Sequence, residues 1–88
     1  MLFRSCFNWT KCNRCVIFDY GEVCSPEMTQ YSWEIDQNGQ IQCLDEMVDP
    51  PADGPKTFAD GYAPGTVPGC RRAICECDKE QLYGIYLV

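Results

Sequence analysis

Histidine is absent from the 88-residue chain, which removes the side chain whose ordinary pKa suits it best to general-base work near neutral pH. Long apolar runs are missing as well. No stretch approaches the roughly 20 apolar residues of a membrane-spanning helix. The opening Met1-Leu2-Phe3-Arg4-Ser5-Cys6 lacks the apolar run of a signal peptide, so the expectation is a mature or processed piece, or a chain carrying an added Met. Basic residues are scarce: 7 Lys and Arg face 13 Asp and Glu, a net charge of −6. That balance argues against nucleic acid as a partner and suits a basic protein or calcium. No internal repeat occurs.

Cysteine, by contrast, is abundant. A chain this short buries only about 60 to 65% of its surface on folding, too little to offset its chain entropy comfortably. The 8 cysteines fit a disulfide scaffold in an oxidising compartment, and hence a secreted, extracellular protein. Three of them lie in Cys70-Arg71-Arg72-Ala73-Ile74-Cys75-Glu76-Cys77-Asp78. On a helix Cys75 and Cys77 are about 200° apart and face opposite ways, so one helix would be stapled on two sides. Asp78 is expected on the flank shared by Ile74 and Cys77, carried toward the partner of Cys77.

Along the chain, Cys12, Cys15, Phe18 and Asp19 or Glu22 recur at helical intervals, which predicts a first helix over about residues 10 to 23 with Thr10 as N-cap. Asn8-Trp9-Thr10 is a candidate glycosylation acceptor at Asn8. Cys24-Ser25-Pro26 is expected to end the helix. From Tyr31 the period becomes two, and Asn38-Gly39 between alternating runs predicts a two-stranded β-wing over about 31 to 43 with a type I′ turn, pinned by Cys43. Residues 44 to 69 hold five of the six prolines and four of the glycines. They predict a long acidic Pro/Gly-rich loop, with Phe58 and Tyr62 as anchors and no helix or sheet. A second helix is expected over about 70 to 83, ending near Gly84. The whole, 1 to 88, reads as one small, disulfide-rich, mainly α domain. The charge of the loop has a plain reading as a solvated surface.

These pieces, in this order, resemble the secreted calcium-dependent phospholipase A2 family over roughly residues 14 to 43 and 69 to 83. Cys70 through Asp78 resembles its last long helix, with the Cys-x-Cys-Asp motif. Cys24-Ser25-Pro26, Tyr31-Ser32-Trp33 and Asn38-Gly39-Gln40-Ile41-Gln42-Cys43 resemble its β-wing. Cys15-Val16-Ile17-Phe18-Asp19 resembles its active-site helix, Cys-Cys-x-x-His-Asp. The family's two cysteines that bond at the positions of Arg14 and Gly84 are missing together here. The resemblance implies a core of two antiparallel, disulfide-linked helices and the pairs Cys24 with Cys70 and Cys43 with Cys75. Cys6, Cys12, Cys15 and Cys77 are left to pair in another order, Cys77 with Cys6 or Cys12.

The family's chemistry uses a His base, an Asp that orients it, and calcium. Here Phe18 stands at the His position and cannot take a proton. Asp78 maps to the orienting Asp, with Tyr20 and Tyr31 as its supporting tyrosines. Asp78 is therefore expected as a buried carboxylate held by both hydroxyls and pointing at Phe18, and Phe18 as core packing between the helices. Asp19 maps to the calcium carboxylate, but calcium takes six to eight oxygens. Residues 1 to 14 offer no counterpart of the family's glycine-rich calcium loop, and the family's N-terminal lipid-binding helix is also missing. No cofactor is expected, calcium at Asp19 being the candidate. A four-thiolate zinc site from Cys12, Cys15, Cys75 and Cys77 is the alternative to oxidation.

The expected function is a non-catalytic phospholipase A2-like binding or regulatory subunit, not an enzyme, whose partner is a basic chain or an active phospholipase meeting the 44 to 69 loop. Two alternatives stand beside it: one chain of a multi-chain phospholipase, or an acidic calcium-binding matrix protein.

Overall fold

The computed structural model describes the backbone of residues 11 to 87 and the side chains of residues 11 to 80. Helix α1 (Cys12–Tyr20) is followed by strands β1 (Trp33–Ile35) and β2 (Ile41–Cys43), a 3-10 turn (Phe58–Asp60) and helix α2 (Cys70–Leu87). Thr10 and Asn8, the expected cap and acceptor, lie outside the described residues, and Lys11 takes the N-cap position without a side-chain cap bond.

Both helices differ in length from expectation, for backbone reasons. Helix α1 stops at Tyr20, well before Cys24, because Gly21 leaves helical space at φ 117° while its N–H still reaches the Ile17 carbonyl at 2.9 Å. Only glycine adopts that angle at little cost. Helix α2 runs through Gly84 to Leu87. A glycine inside a helix costs only about 1 kcal/mol relative to alanine, so Gly84 does not end it.

The core forms where the two helices meet. Val16 and Tyr20 of α1 and Cys70, Ala73, Ile74 and Cys77 of α2 pack with Val23, Cys24 and Val67. The α2 residues recur at i, i+3, i+4 and i+7, one stripe of a helix. Cys12 at the start of α1 bonds to Cys77, while Tyr20 at its end lies against Gly69, just ahead of α2, so the helices run in opposite directions.

Three disulfides tie this unit together: Cys12 to Cys77, Cys24 to Cys70, and Cys43 to Cys75. The last two are the pairs that the resemblance implies. Cys15 is also disulfide-bonded, and Cys6 lies outside the described residues. Oxidation therefore replaces the zinc alternative, since all four of its thiolates are spent in disulfides. Cys75 and Cys77 do face opposite ways, one to the hairpin and the other to α1.

Strands β1 and β2 pair antiparallel with Trp33 opposite Cys43 and Ile35 opposite Ile41. The turn between them is not type I′. Gly39 has φ 80° but Asn38 keeps a negative φ, and the Gly39 N–H reaches the Asp36 carbonyl at 3.0 Å. This is a three-residue loop with glycine at the left-handed position. Asp36 selects it, because its Oδ1 accepts the N–H groups of Asn38 and Gln40, both at 2.9 Å, and its Oδ2 accepts the Gln42 amide at 2.8 Å.

Residues 44 to 69 are more ordered than their prolines suggest. The segment is laced to the end of α1: the Lys56 N–H donates to the Tyr20 carbonyl at 3.0 Å, and Gly21 and Lys56 form a parallel bridge. Gly65 N–H reaches the Val23 carbonyl at 2.7 Å. The turn Phe58–Asp60 is closed by the Thr57 N–H on Asp60 Oδ2 at 2.7 Å. Tyr62 packs against the core as expected, but Phe58 is 50% exposed and outside the core, tied through its N–H to Glu22 Oε1 at 3.3 Å; Val67, at 2%, is the buried anchor. A proline-rich segment can be ordered this way because its remaining N–H groups find carbonyls on a neighbouring element.

Candidate functional site

The candidate site lies between the hairpin and α2. Tyr31, Trp33, Ile41, Cys75, Asp78 and Lys79 line a half-open cleft of about 300 Å³. Its walls follow from strand alternation. Tyr31, Trp33 and Ile35 share one face of the hairpin with Ile41 and Cys43, and the Cys43–Cys75 disulfide holds that face against the helix. Contact with α2 is partial, and Trp33 stays 52% and Ile35 61% exposed.

At the polar end, the Tyr31 hydroxyl donates to Asp78 Oδ2 at 2.7 Å. Asp78 is half-buried rather than buried. It sits on the hairpin side of α2 rather than on the side of Cys77. At about 100° per residue, Asp78 is about 60° from Cys75 and about 100° from Cys77, so the hairpin is its nearer neighbour. Half-burial and the bond to Asp78 push the Tyr31 phenol up to about 12, burial being the larger cause. Because the unfolded chain gives up its phenol proton first, the contribution of Tyr31 to stability is complete below about pH 10 and lost as pH rises toward 12. A phenolate absorbance titration of wild type against Tyr31→Phe should lose one step near pH 12.

The expected network is only half assembled. Tyr20 is fully buried, but its hydroxyl donates to the Val48 carbonyl at 2.6 Å, not to Asp78. It latches the long loop to α1, and burial raises its phenol well above the ordinary tyrosine value. Tyr20→Phe would strand the Val48 carbonyl, and we expect a loss of about 1 to 2 kcal/mol in urea unfolding. Phe18 is not in the core: it is 64% exposed. Of the three buried positions of α1, Cys15, Val16 and Tyr20, the two that join the core cluster, Val16 and Tyr20, each lie two residues from Phe18, about 200° around the helix.

Asp19 is half-buried, and burial raises its carboxyl above the usual range. Its Oδ2 stands 3.9 Å from the Cys15 sulfur. Among the described residues, no three His, Cys, Asp or Glu side chains gather as a group that could hold a metal ion. Around the cleft, Asp36 is held below the usual carboxylate range by the Gln40 N–H first, then the Gln42 amide and, in smaller part, the Asn38 N–H and the charge of Lys79. Asp45 links hairpin to helix, its Oδ2 taking the Ser32 N–H at 2.7 Å and its carbonyl taking Arg72 at 3.1 Å. Sequence reasoning missed Trp33, Ile41 and Lys79 as site residues. The alternation of Trp33 with polar neighbours placed it on a face, but what that face opposes is set by the Cys43–Cys75 bond.

Among the described residues, no helix is long and apolar enough to cross a membrane. Comparison with models of known families, with curated proteins and with solved structures returned no match.

Proposed function

We propose that the chain is a secreted, non-catalytic relative of the disulfide-rich phospholipases A2 that acts as a binding or regulatory subunit. The observation that carries this reading is Phe18 at the family's base position in a chain without histidine. Two further observations support it. Cys24–Cys70 and Cys43–Cys75 are the pairs that such a core requires, and Asp78, at the position of the orienting carboxylate, is engaged by Tyr31 at 2.7 Å. A carboxylate with no imidazole to orient keeps a structural role, satisfying a neighbouring hydroxyl. The partner is a basic chain that meets the acidic 44 to 69 loop, in keeping with a net charge of −6.

The test has two arms. The purified chain should hydrolyse no phospholipid at millimolar calcium. It should co-elute with a basic phospholipase A2 at low salt and separate at high salt, as an association driven by exposed charge does. Calcium-dependent hydrolysis lost on Asp19→Ala would overturn the non-catalytic reading and favour a chain of a multi-chain enzyme. Elution alone at every salt concentration would overturn the subunit reading.

A further inference from the structure

We propose that the cleft between the hairpin and α2 binds an organic ammonium group, with the Asp78 carboxylate as its counter-ion and the Trp33 indole as the wall that covers its apolar body. The cleft, at about 300 Å³, is at the small end of ligand pockets, and such sites combine apolar walls with a few convergent polar groups. Trp33, Ile41 and the Cys43–Cys75 disulfide supply the walls.

Charge decides the class of ligand. Two groups charged at neutral pH line the cleft, Asp78 and Lys79, beside the neutral phenol of Tyr31. The positive charge of Lys79 acts on the Asp36 carboxylate at the hairpin turn. Asp78 takes part in neither ion pair found among the described residues, Lys56 with Asp53 and Arg72 with Glu76. Its partner is a neutral phenol at 2.7 Å. A tyrosine hydroxyl satisfies one lone pair of the carboxylate without neutralising its charge. A cation entering the cleft gains a charge-assisted bond to Asp78 and an attraction to the face of Trp33. An anion meets the repulsion of Asp78 and of a surface with net charge −6. The same chemistry has two sources, a free aryl or alkyl amine or a lysine side chain of a bound protein, and it does not depend on the phospholipase-like reading.

The experiment is a nuclear magnetic resonance titration that follows the Trp33 indole N–H in the whole chain. Three probes of one shape are compared: 2-phenylethylammonium, neutral 2-phenylethanol and anionic 3-phenylpropionate. The ammonium should shift the Trp33 signal in a saturable way, and the other two should not. Asp78→Asn, checked for native dispersion, should weaken the ammonium about tenfold, and Trp33→Leu, read on the Ile41 amide, should also weaken it. Asp53→Asn removes a charge outside the cleft and should leave binding unchanged. A lysine-containing tripeptide that competes assigns the site to a partner's side chain; one that does not, while 2-phenylethylammonium binds, assigns it to free amines. Equal binding of the alcohol, tighter binding of the propionate, no shift with either ammonium probe, or equal weakening by Asp78→Asn and Asp53→Asn would overturn the proposal. The probe comparison on the wild-type chain stands even where a variant fails to fold.

Discussion

Replacing Cys24 and Cys70 together with alanine is expected to leave the chain unfolded, or folded only in a minor fraction, at 25 °C. The bond spans 46 residues and both cysteines are fully buried. A closed loop of that length removes about 4 kcal/mol of chain entropy from the unfolded state on the loop-closure account. Two buried sulfur atoms are lost as well, and with them the Thr29 hydroxyl contact to the Cys70 sulfur at 3.6 Å. A domain of this size holds a net stability of about 5 to 10 kcal/mol, so the deficit is most of the total. The C-terminal end of the long segment loses definition, since Cys70 follows it directly and Cys24 sits where Val23 and Val67 pack. Near-ultraviolet circular dichroism together with urea unfolding checks this. A cooperative transition with a midpoint close to that of wild type would show that the bond does not hold the core.

Gly21→Ala is the second large effect, and it acts through backbone alone. Gly21 lies at φ 117°, where a side chain is strained whatever the space, and a Cβ there would run into the backbone of Lys56. Relief requires the Gly21–Lys56 bridge to open, and with it the Lys56 N–H bond to the Tyr20 carbonyl at 3.0 Å. Strained backbone and a forced overlap each cost about 1 to 3 kcal/mol, so a loss of about 3 kcal/mol is expected in denaturant unfolding. Gly54 makes a useful contrast: its φ is also positive, but a Cβ there meets nothing within 4 Å. Gly54→Ala should therefore be much milder. Equal losses at both positions would mean that the lacing of the loop to α1 contributes nothing.

Much of the scaffold was legible before any coordinates. Cysteine number and the spacing of Cys70, Cys75 and Cys77 predicted a two-sided staple, and that is how Cys75 and Cys77 are used. The hairpin was visible as alternation around Asn38-Gly39, but its turn type was not. Asn-Gly serves both a two-residue and a three-residue loop, and the carboxylate of Asp36, reaching two N–H groups at 2.9 Å, selects the longer one. Phe18 was misread because its spacing from Cys15 fits a helical face as well as that of Val16 from Cys12 does. On a helix of nine residues only two or three positions can reach the core, and the phase is chosen by what packs opposite.

By itself, the sequence determined the covalent frame: a small, acidic, disulfide-rich chain with two helices, one antiparallel hairpin and no histidine base. These follow from local spacing and composition, which act over a few residues and are written in order along the chain. Only the tertiary structure decided that Tyr20 latches the loop through Val48 instead of joining Tyr31 on Asp78, and that Trp33 and Ile41 line a cleft with Asp78. Those relations join positions tens of residues apart, and they exist only once the disulfides and the core stripe of α2 have set which faces meet.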